Sequence, residues 1–216
     1  STTVADRRIR CHKTTGHGTQ TFTQTVMNSC NPAFIEWGRR VGVDNFYTYI
    51  DKLGLTSKTG IDIAGEAGTI IHKKENVGEV ELATMSFGQS FQITPMQMLR
   101  AAAAIVNGGN LVTPHFAIRT CAADKTTYSE FSYSTTQEAV SKETSDTMKD
   151  ILRQVVEEGG GKKAYIEGFS IGGKTATSQK LPRGSGKYIA SFIGFSDVTD
   201  PSVIAMCLID EPQGVY

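Results

Sequence analysis

The C-terminal part of the chain carries three apolar, strand-like runs joined by short, turn-rich connections. The runs cover residues 165–177, 188–195 and 203–209, and the connections contain LPRGSGK and SDVTDPS. Parallel neighbouring strands need a connection of about a dozen or more residues, usually a helix, so these short connections favour antiparallel pairing. The sequence therefore predicts a C-terminal antiparallel sheet.

The residues before this sheet carry helix signals. A polar helical segment over residues 19–28 is interrupted at Ser29-Cys30-Asn31-Pro32, because the residue before a proline is disfavoured in the helical region. Pro32 suits the first position of a new helix with Asn31 as its cap, and apolar residues then recur at helical spacing, namely Phe34, Trp37 and Val41. Ser29 and Asn31 are thus predicted at a turn between two helices.

Further elements follow from cap and turn signals. Asp44 is predicted to cap a short helix ended by Gly54, and residues 55–80 read as a loop region with short strands. Thr94-Pro95-Met96-Gln97 predicts the start of a buried helix, and Ser141 opens an amphipathic helix ended by a triple glycine. Between them, residues 111–120 are strand-like and residues 122–140 are polar without periodicity. The predicted fold class is α/β (α+β), an antiparallel sheet with a helical subdomain.

Composition excludes several function classes. The chain has 216 residues with 22 basic and 22 acidic side chains and no run of like charge, so no nucleic-acid partner is expected. No apolar run reaches the roughly 18 residues of a membrane span. Cys11, His12 and His17 could be taken for metal ligands, but ligand sites usually show two such pairs, so no metal or cofactor is expected.

The segment GFSIGGKTATSQ, residues 168–179, fits three catalytic patterns at once. As G-x-x-x-x-G-K-[ST] it would be a phosphate loop, with VIAMCLIDE as a magnesium strand, but no helix can start in the TATSQKLPRGSGKY that follows. As G-x-S-x-G it would be an esterase elbow around Ser170, but that also needs a helix and a later histidine, and the last histidine is His115. Both patterns are interpreted as chance matches.

The third pattern needs a strand that carries Lys-Thr along a groove, with small residues beyond it and a Ser-x-Asn motif at a helix turn upstream. Lys174-Thr175 and Ser29-Cys30-Asn31 supply both parts. The plainer interpretation of the same residues is a helix cap, a turn and a solvated strand lysine. Only the wider sequence context separates the two.

That context resembles the transpeptidase domain of class B penicillin-binding proteins of the cell-division and sporulation type. The blocks that carry the resemblance run in order along nearly the whole chain: GHGTQTF, NSCNPAFIEWGRRVG, KTGIDIAGEAG, LATMSFGQSFQITPMQMLRAAAAIVNGG, GGGKKAYIEGFSIGGKT, KYIASFIGF and DEPQGVY. The resemblance implies a transpeptidase fold of the penicillin-binding protein and serine β-lactamase type over residues 1–216. It also implies peptidoglycan cross-linking, by serine acyl transfer on stem peptides that end in D-Ala-D-Ala, and binding of β-lactams.

The resemblance implies a role for each motif residue. Ser29 would relay a proton to the leaving amine, Asn31 would hold a substrate amide, and Lys174 would supply positive charge beside the relay. Thr175 and Thr177 would offer hydroxyls to the substrate carboxylate, and the backbone N–H of Thr177 would serve the oxyanion hole.

Two departures from the family pattern are visible. Ala176 stands where the family has glycine, and no serine of the chain has a lysine three positions later, which is the S-x-x-K spacing of the nucleophile. We therefore expect a domain incomplete at both ends, with the S-x-x-K segment upstream and a closing C-terminal helix absent, and no catalysis by this chain alone. The alternative is a non-catalytic scaffold of the division or sporulation machinery with a degenerate site.

The resemblance also implies a setting. The parent protein is expected at the extracytoplasmic face of the bacterial membrane, anchored by an upstream helix, with stem peptides and β-lactams as ligands and division or sporulation proteins as partners. The chain alone is expected to self-associate, because a missing segment exposes core surface.

Overall fold

The computed structural model describes residues 1–182 and 184–214. Five α-helices lie at Phe22–Met27 (α1), Asn31–Lys52 (α2), Glu79–Ser86 (α3), Pro95–Val106 (α4) and Lys142–Glu157 (α5). Nine strands lie at Thr2–Val4 (β1), Arg7–Ile9 (β2), Leu111–Val112 (β3), Arg119–Cys121 (β4), Tyr128–Glu130 (β5), Thr135–Thr136 (β6), Ile171–Gln179 (β7), Tyr188–Ser196 (β8) and Val203–Asp210 (β9). Short 3-10 helices cover Lys74–Asn76 and Lys162–Ala164.

The predicted C-terminal antiparallel sheet is confirmed. Its strand order is β7-β8-β9, and both pairs are antiparallel. The first strand begins at Ile171 rather than at residue 165, because the chain turns through Gly168 at a φ of 84° before it extends. Within the described residues β7 is therefore an edge strand, and this sets up the candidate site.

The helical part differs in detail from the prediction. Asn31 is the first helical residue of α2 rather than its cap; the extended residue before the helix is Cys30, with φ −82° and ψ 100°. The helix predicted to start at Asp44 is the second half of α2, which is interrupted at Gly42 with φ 74° and ψ 164°. Glycine adopts this conformation without a steric penalty, and the Asp44 carboxylate instead pairs with Lys74 Nζ at 2.8 Å.

The apolar residues predicted at helical spacing on α2 are partly buried, since Phe34 and Trp37 are half-buried. Ile35 is fully buried and packs with Val4 and Ala83, whereas Val41 is 41 % exposed. Helix α3, which lies beside α2, was not predicted; it buries Leu82, Ala83 and Met85. Its eight residues give too short a pattern to reveal a face.

Helices α4 and α5 begin where the cap signals in the sequence predicted, at Thr94 and Ser141. Thr94 and Gln97 form the predicted capping box of α4, with Gln97 N donating to Thr94 Oγ1 at 3.1 Å and Thr94 N donating to Gln97 Oε1 at 2.8 Å. The Gln97 side chain is also buried and donates to Ser57 O and Thr69 Oγ1, both at 2.7 Å. It therefore ties the loop of residues 55–80 to the helix.

The middle of the chain is more ordered than predicted. The strand-like stretch at 111–120 divides into β3 and β4, and the polar stretch at 122–140 contains their antiparallel partners β6 and β5. Most residues of these strands are exposed, so no alternation of apolar and polar residues marked them.

The core beneath the site joins α1, α2 and α5. Val26, Ile151 and Val155 are buried there, and Met27, Phe34 and Met148 pack against them. Over the described ranges, we find no helix with the length and apolarity that crossing a membrane requires.

Candidate active site

Two predicted site residues that lie far apart in sequence meet in the structure. Lys174 Nζ donates a hydrogen bond to Ser29 Oγ at 3.0 Å and a second to its neighbour's carbonyl, Thr175 O, at 2.8 Å. The first bond joins the middle of β7 to the turn between α1 and α2. A lysine directed at a hydroxyl across two elements is a specific arrangement, not that of a solvated strand lysine.

The turn that presents Ser29 is tightly held. Ser29 has φ 46°, in the left-handed region that few residues other than glycine adopt. Its backbone N–H donates to Val26 O at 3.1 Å, and Cys30 N donates to Thr25 O at 3.2 Å. Hydrogen bonds that end α1 therefore hold the serine in an uncommon conformation, and such conformations concentrate at functional sites.

The triple glycine at 159–161 joins the elements of the site. Gly160 N donates to Met27 O at 3.1 Å, at the end of α1, and a Cβ on Gly160 would lie 3.9 Å from Thr175 Oγ1. A Cβ on Gly159 would lie 3.0 Å from Met27 O. The ends of α1 and α5 thus meet beside β7, and these glycines allow the close approach. The sequence pattern predicted only the end of a helix, and this second function of the glycines was missed. Three consecutive glycines, more than a helix stop requires, were the signal.

The Lys174 ammonium lies in a half-buried environment. Burial lowers its pKa from 10.5 to about 8, because desolvation disfavours the charged form. At neutral pH most of the population keeps the proton, yet the amine is close enough to its pKa to exchange that proton readily.

The remaining predicted residues are neighbours of this pair in the sequence. Asn31 is half-buried in the first turn of α2, and its side-chain amide makes no hydrogen bond to any residue in the described ranges. Thr175 is half-buried, whereas Ala176 and Thr177 are exposed on the edge strand. Ala176 pairs with Ser191 in β8 and shares the Lys174 face of the strand by alternation, so the methyl group does not disturb the pairing.

The glycines of the GFSIGGKTATSQ segment have a packing function. A Cβ on Gly172 would lie 2.3 Å from the Phe195 ring, and one on Gly173 would lie 2.5 Å from the Phe192 ring. Lys174 lies in the middle of β7, and the next element in the chain is the strand β8. The helix that a phosphate loop or an esterase elbow needs therefore does not follow it.

The acidic pair of the magnesium pattern is engaged elsewhere. Lys180 Nζ contacts Asp210 Oδ1 and Glu211 Oε1, each at 2.8 Å, and Lys187 also pairs with Glu211. These contacts account for both carboxylates without an ion.

A group of metal-ligating side chains lies next to the Ser29 turn. Cys11 Sγ lies 3.4 Å from His17 Nδ1, and the ligand atoms of Cys11, His17 and Cys30 all lie within 4.8 Å of one another. The sequence pointed to Cys11, His12 and His17 but gave no reason to add Cys30, which is distant in the chain.

The sequence matches the profile of the family described as "Penicillin binding protein transpeptidase domain" over residues 2–216. It is 43 % identical over 215 residues to stage V sporulation protein D of Bacillus subtilis, covering 98 % of this chain and 33 % of that protein. It is 28 % identical over 211 residues to penicillin-binding protein PbpB of Mycolicibacterium smegmatis, covering 91 % of this chain and 32 % of that protein. The chain thus spans about a third of the length of these curated relatives.

Solved structures give the same result. The apo form of penicillin-binding protein 3 from Mycobacterium tuberculosis superposes with a TM-score of 0.88 at 26 % identity, covering 97 % of this chain and 49 % of that one. Its complex with aztreonam superposes with a TM-score of 0.83 at 28 % identity, covering 89 % of this chain and 45 % of that one. The predicted transpeptidase fold is confirmed.

Proposed function

This chain belongs to the penicillin-binding protein transpeptidase family, and we propose that it is part of a D,D-transpeptidase domain that cross-links peptidoglycan by serine acyl transfer. The observation that carries the proposal is the hydrogen bond of 3.0 Å between Lys174 Nζ and Ser29 Oγ. It joins the two motifs, Ser-x-Asn and Lys-Thr, that the chemistry requires to be adjacent.

The proposed reaction has two halves. A serine hydroxyl attacks the carbonyl carbon of the penultimate D-alanine, the terminal D-alanine leaves as an amine, and an amine of a second stem peptide then takes the acyl group. The leaving amine needs a proton, and a hydroxyl hydrogen-bonded to a lysine can deliver it. Ser29, with Lys174 behind it, is assigned this relay.

The other predicted residues bind the substrate. The unengaged amide of Asn31 offers one donor and one acceptor to a peptide group. The edge strand β7 offers backbone groups along which an extended peptide can lie, and Thr177 N–H is assigned to the oxyanion hole. The hydroxyls of Thr175 and Thr177 are assigned to the terminal carboxylate, and Ala176 lies between them at the exposed edge.

The nucleophile is proposed to lie outside these 216 residues. No serine of the chain has a lysine three positions later, and Ser29 is already bonded to Lys174 as a relay. We accordingly expect no acyl transfer by this chain alone, and we treat residues 1–216 as one partial transpeptidase domain.

The relatives support a setting for this activity. Stage V sporulation protein D, at 43 % identity, favours a role in sporulation, and the complexes of penicillin-binding protein 3 with aztreonam and ampicillin favour β-lactam binding. A peptidoglycan substrate places the site outside the cytoplasm. Membrane anchoring of the parent protein and contacts with sporulation or division proteins are parts of the same proposal.

Release of D-alanine from a stem peptide tests the proposal. We expect release by the gene product that joins an S-x-x-K serine to this chain, and none by the 216 residues alone. Ser29→Ala and Lys174→Ala should lower the rate about 10²- to 10⁴-fold, the range for loss of an acid–base group. Lys187→Ala, at the residue just before β8 and paired with Glu211, is the matched control and should keep the rate.

Two results would contradict the proposal. One is release by the isolated chain, and the other is a folded S-x-x-K protein that releases no D-alanine. The second result would favour the scaffold alternative, for which Ala176 in place of the family's glycine is the supporting feature.

A further inference from the structure

We infer that Cys11, His17 and Cys30 bind one transition-metal ion of the zinc type, with His12 as the fourth ligand. The inference does not depend on the transpeptidase function. It rests on three features of the described residues: the convergence of the ligand atoms, the burial of the thiols, and the turn that returns His17 to Cys11.

The distances fit a tetrahedral ion. With Zn–S bonds of about 2.3 Å and Zn–N bonds of about 2.0 Å, ligand atoms around one tetrahedral zinc lie about 3.3 to 3.8 Å apart. Cys11 Sγ lies 3.4 Å from His17 Nδ1 and 3.7 Å from His12 Nδ1. Cys30 Sγ completes the group, since all three ligand atoms lie within 4.8 Å of one another. Small side-chain rotations would close such a set around an ion.

The local backbone explains why the ligands converge. Gly16 N donates to Lys13 O at 2.9 Å, and Gly16 has φ 79°, so the chain reverses between Cys11 and His17. The His12 ring contacts the His17 ring edge to face, with centroids 5.4 Å apart. His12 therefore lies beside the group of three and outside it, and its exposed ring would have to rotate to supply the fourth ligand.

The chemistry of the set selects the class of ion. Cys11 and Cys30 are only 9 % and 6 % exposed, and the imidazole of His17 is half-buried. Two thiolates with two imidazoles favour zinc, or cobalt as its probe, over magnesium and calcium, which prefer oxygen ligands.

An ion bound by these residues would stabilise the turn that presents Ser29. Cys30 lies between Ser29 and Asn31, and Cys11 and His17 belong to the segment that precedes α1. A bound ion would cross-link that segment to the turn and restrict the motion of both.

Titration of the fully reduced, metal-free chain with Co²⁺ tests the inference. We expect one Co²⁺ per chain, intense visible bands of a tetrahedral site and a sulfur-to-cobalt charge-transfer band, all displaced by one equivalent of Zn²⁺. Cys11→Ser, Cys30→Ser and His17→Asn should each weaken binding by about 100-fold or more, beyond the effect of losing an outer-shell partner. His12→Asn should also weaken binding and change the spectrum.

Cysteines outside the cluster give the matched control. Cys121 and Cys207 are exposed, so Cys121→Ser and Cys207→Ser should leave stoichiometry, affinity and spectrum unchanged. His17 lies on a loop, and far-UV circular dichroism of His17→Asn verifies that this variant folds.

Four outcomes would overturn the inference. The reduced chain could bind no Co²⁺, could give only the weak spectrum of an octahedral oxygen site, or could keep its charge-transfer band in Cys30→Ser. A Cys11–Cys30 disulfide in protein purified without reductant, followed by no metal uptake after reduction, would assign the two thiols to redox chemistry and also overturn it.

Discussion

At the scale of single residues, the chemistry of the site depends on the protonation of Lys174. Its pKa is lowered from 10.5 to about 8 by burial. We call the gene product that joins an S-x-x-K serine to this chain the S-x-x-K protein. If the relay needs the ammonium form of Lys174, β-lactam acylation of this protein should fall as pH rises through about 8. The pH profile of the acylation rate, together with an NMR titration of the labelled lysine, measures this.

The lowered pKa of Lys174 also makes the stability of the fold depend on pH. Between pH 8 and 10.5 the unfolded lysine holds a proton that the folded lysine has lost, so this group makes the free energy of unfolding rise with pH across that window. A lysine that titrates near 10.5 in the folded chain would contradict the burial described here.

Ala176→Gly tests the departure from the family pattern. Ala176 is exposed on the edge strand, so the change should lower the free energy of unfolding by only about 0.5 to 1 kcal/mol, the cost of glycine in a strand. If the methyl group crowds the substrate, the acylation rate should rise a few-fold. Thr177→Gly, which removes a proposed substrate hydroxyl from the same exposed edge, should lower the rate instead.

The sequence was a better guide to which residues form the candidate site than to how those residues are buried and which residues they contact. The sequence, through its motifs and their resemblance to the family, predicted Ser29, Asn31 and Lys174 as site residues. It could not supply the burial that lowers the Lys174 pKa, or the approach of Cys30 to Cys11. Both depend on how distant elements pack.

At the scale of elements, α2 and α3 pack closely where Gly38 of α2 faces Ser86 of α3. A Cβ on Gly38 would lie 1.8 Å from Ser86 Oγ, so the helices can approach only because position 38 has no side chain. Gly38→Ala should destabilise the fold by about 1 to 3 kcal/mol through overpacking, despite the higher helix propensity of alanine.

Urea unfolding of purified variants measures this change. Gly68→Ala is the matched control, because its Cβ would meet no atom within 4 Å and its backbone is not in the left-handed region. Equal stability of Gly38→Ala and Gly68→Ala would show that α2 and α3 do not pack as described.

Elements with strong local signals were predictable, and elements held by tertiary contacts were not. The caps at Thr94 and Ser141 and the three C-terminal strands follow from local propensity and turn chemistry. Helix α3, the Gly42 interruption and the exposed strands β5 and β6 have weak local patterns. Helix α3 is held by packing against α2, and β5 and β6 are held by pairing with β4 and β3.

At the scale of the whole molecule, several large apolar side chains remain exposed. Phe116 and Ile118 are 72 % and 66 % exposed, and Phe131, whose N–H bonds to Ile118 O, is 49 % exposed. Neighbouring apolar groups of this kind favour association. Sedimentation velocity should show dimers or larger species at high concentration, reduced by Phe116→Ser with Ile118→Ser. A chain that stays monomeric would contradict this expectation.

The most direct test of the central claim is the intact mass of the S-x-x-K protein after incubation with a β-lactam. We predict one adduct, on the S-x-x-K serine, formed much more slowly in Ser29→Ala and Lys174→Ala and at the usual rate in Lys187→Ala. No adduct in a folded sample, or equal rates in all variants, would contradict an acyl-transfer site built on Ser29 and Lys174.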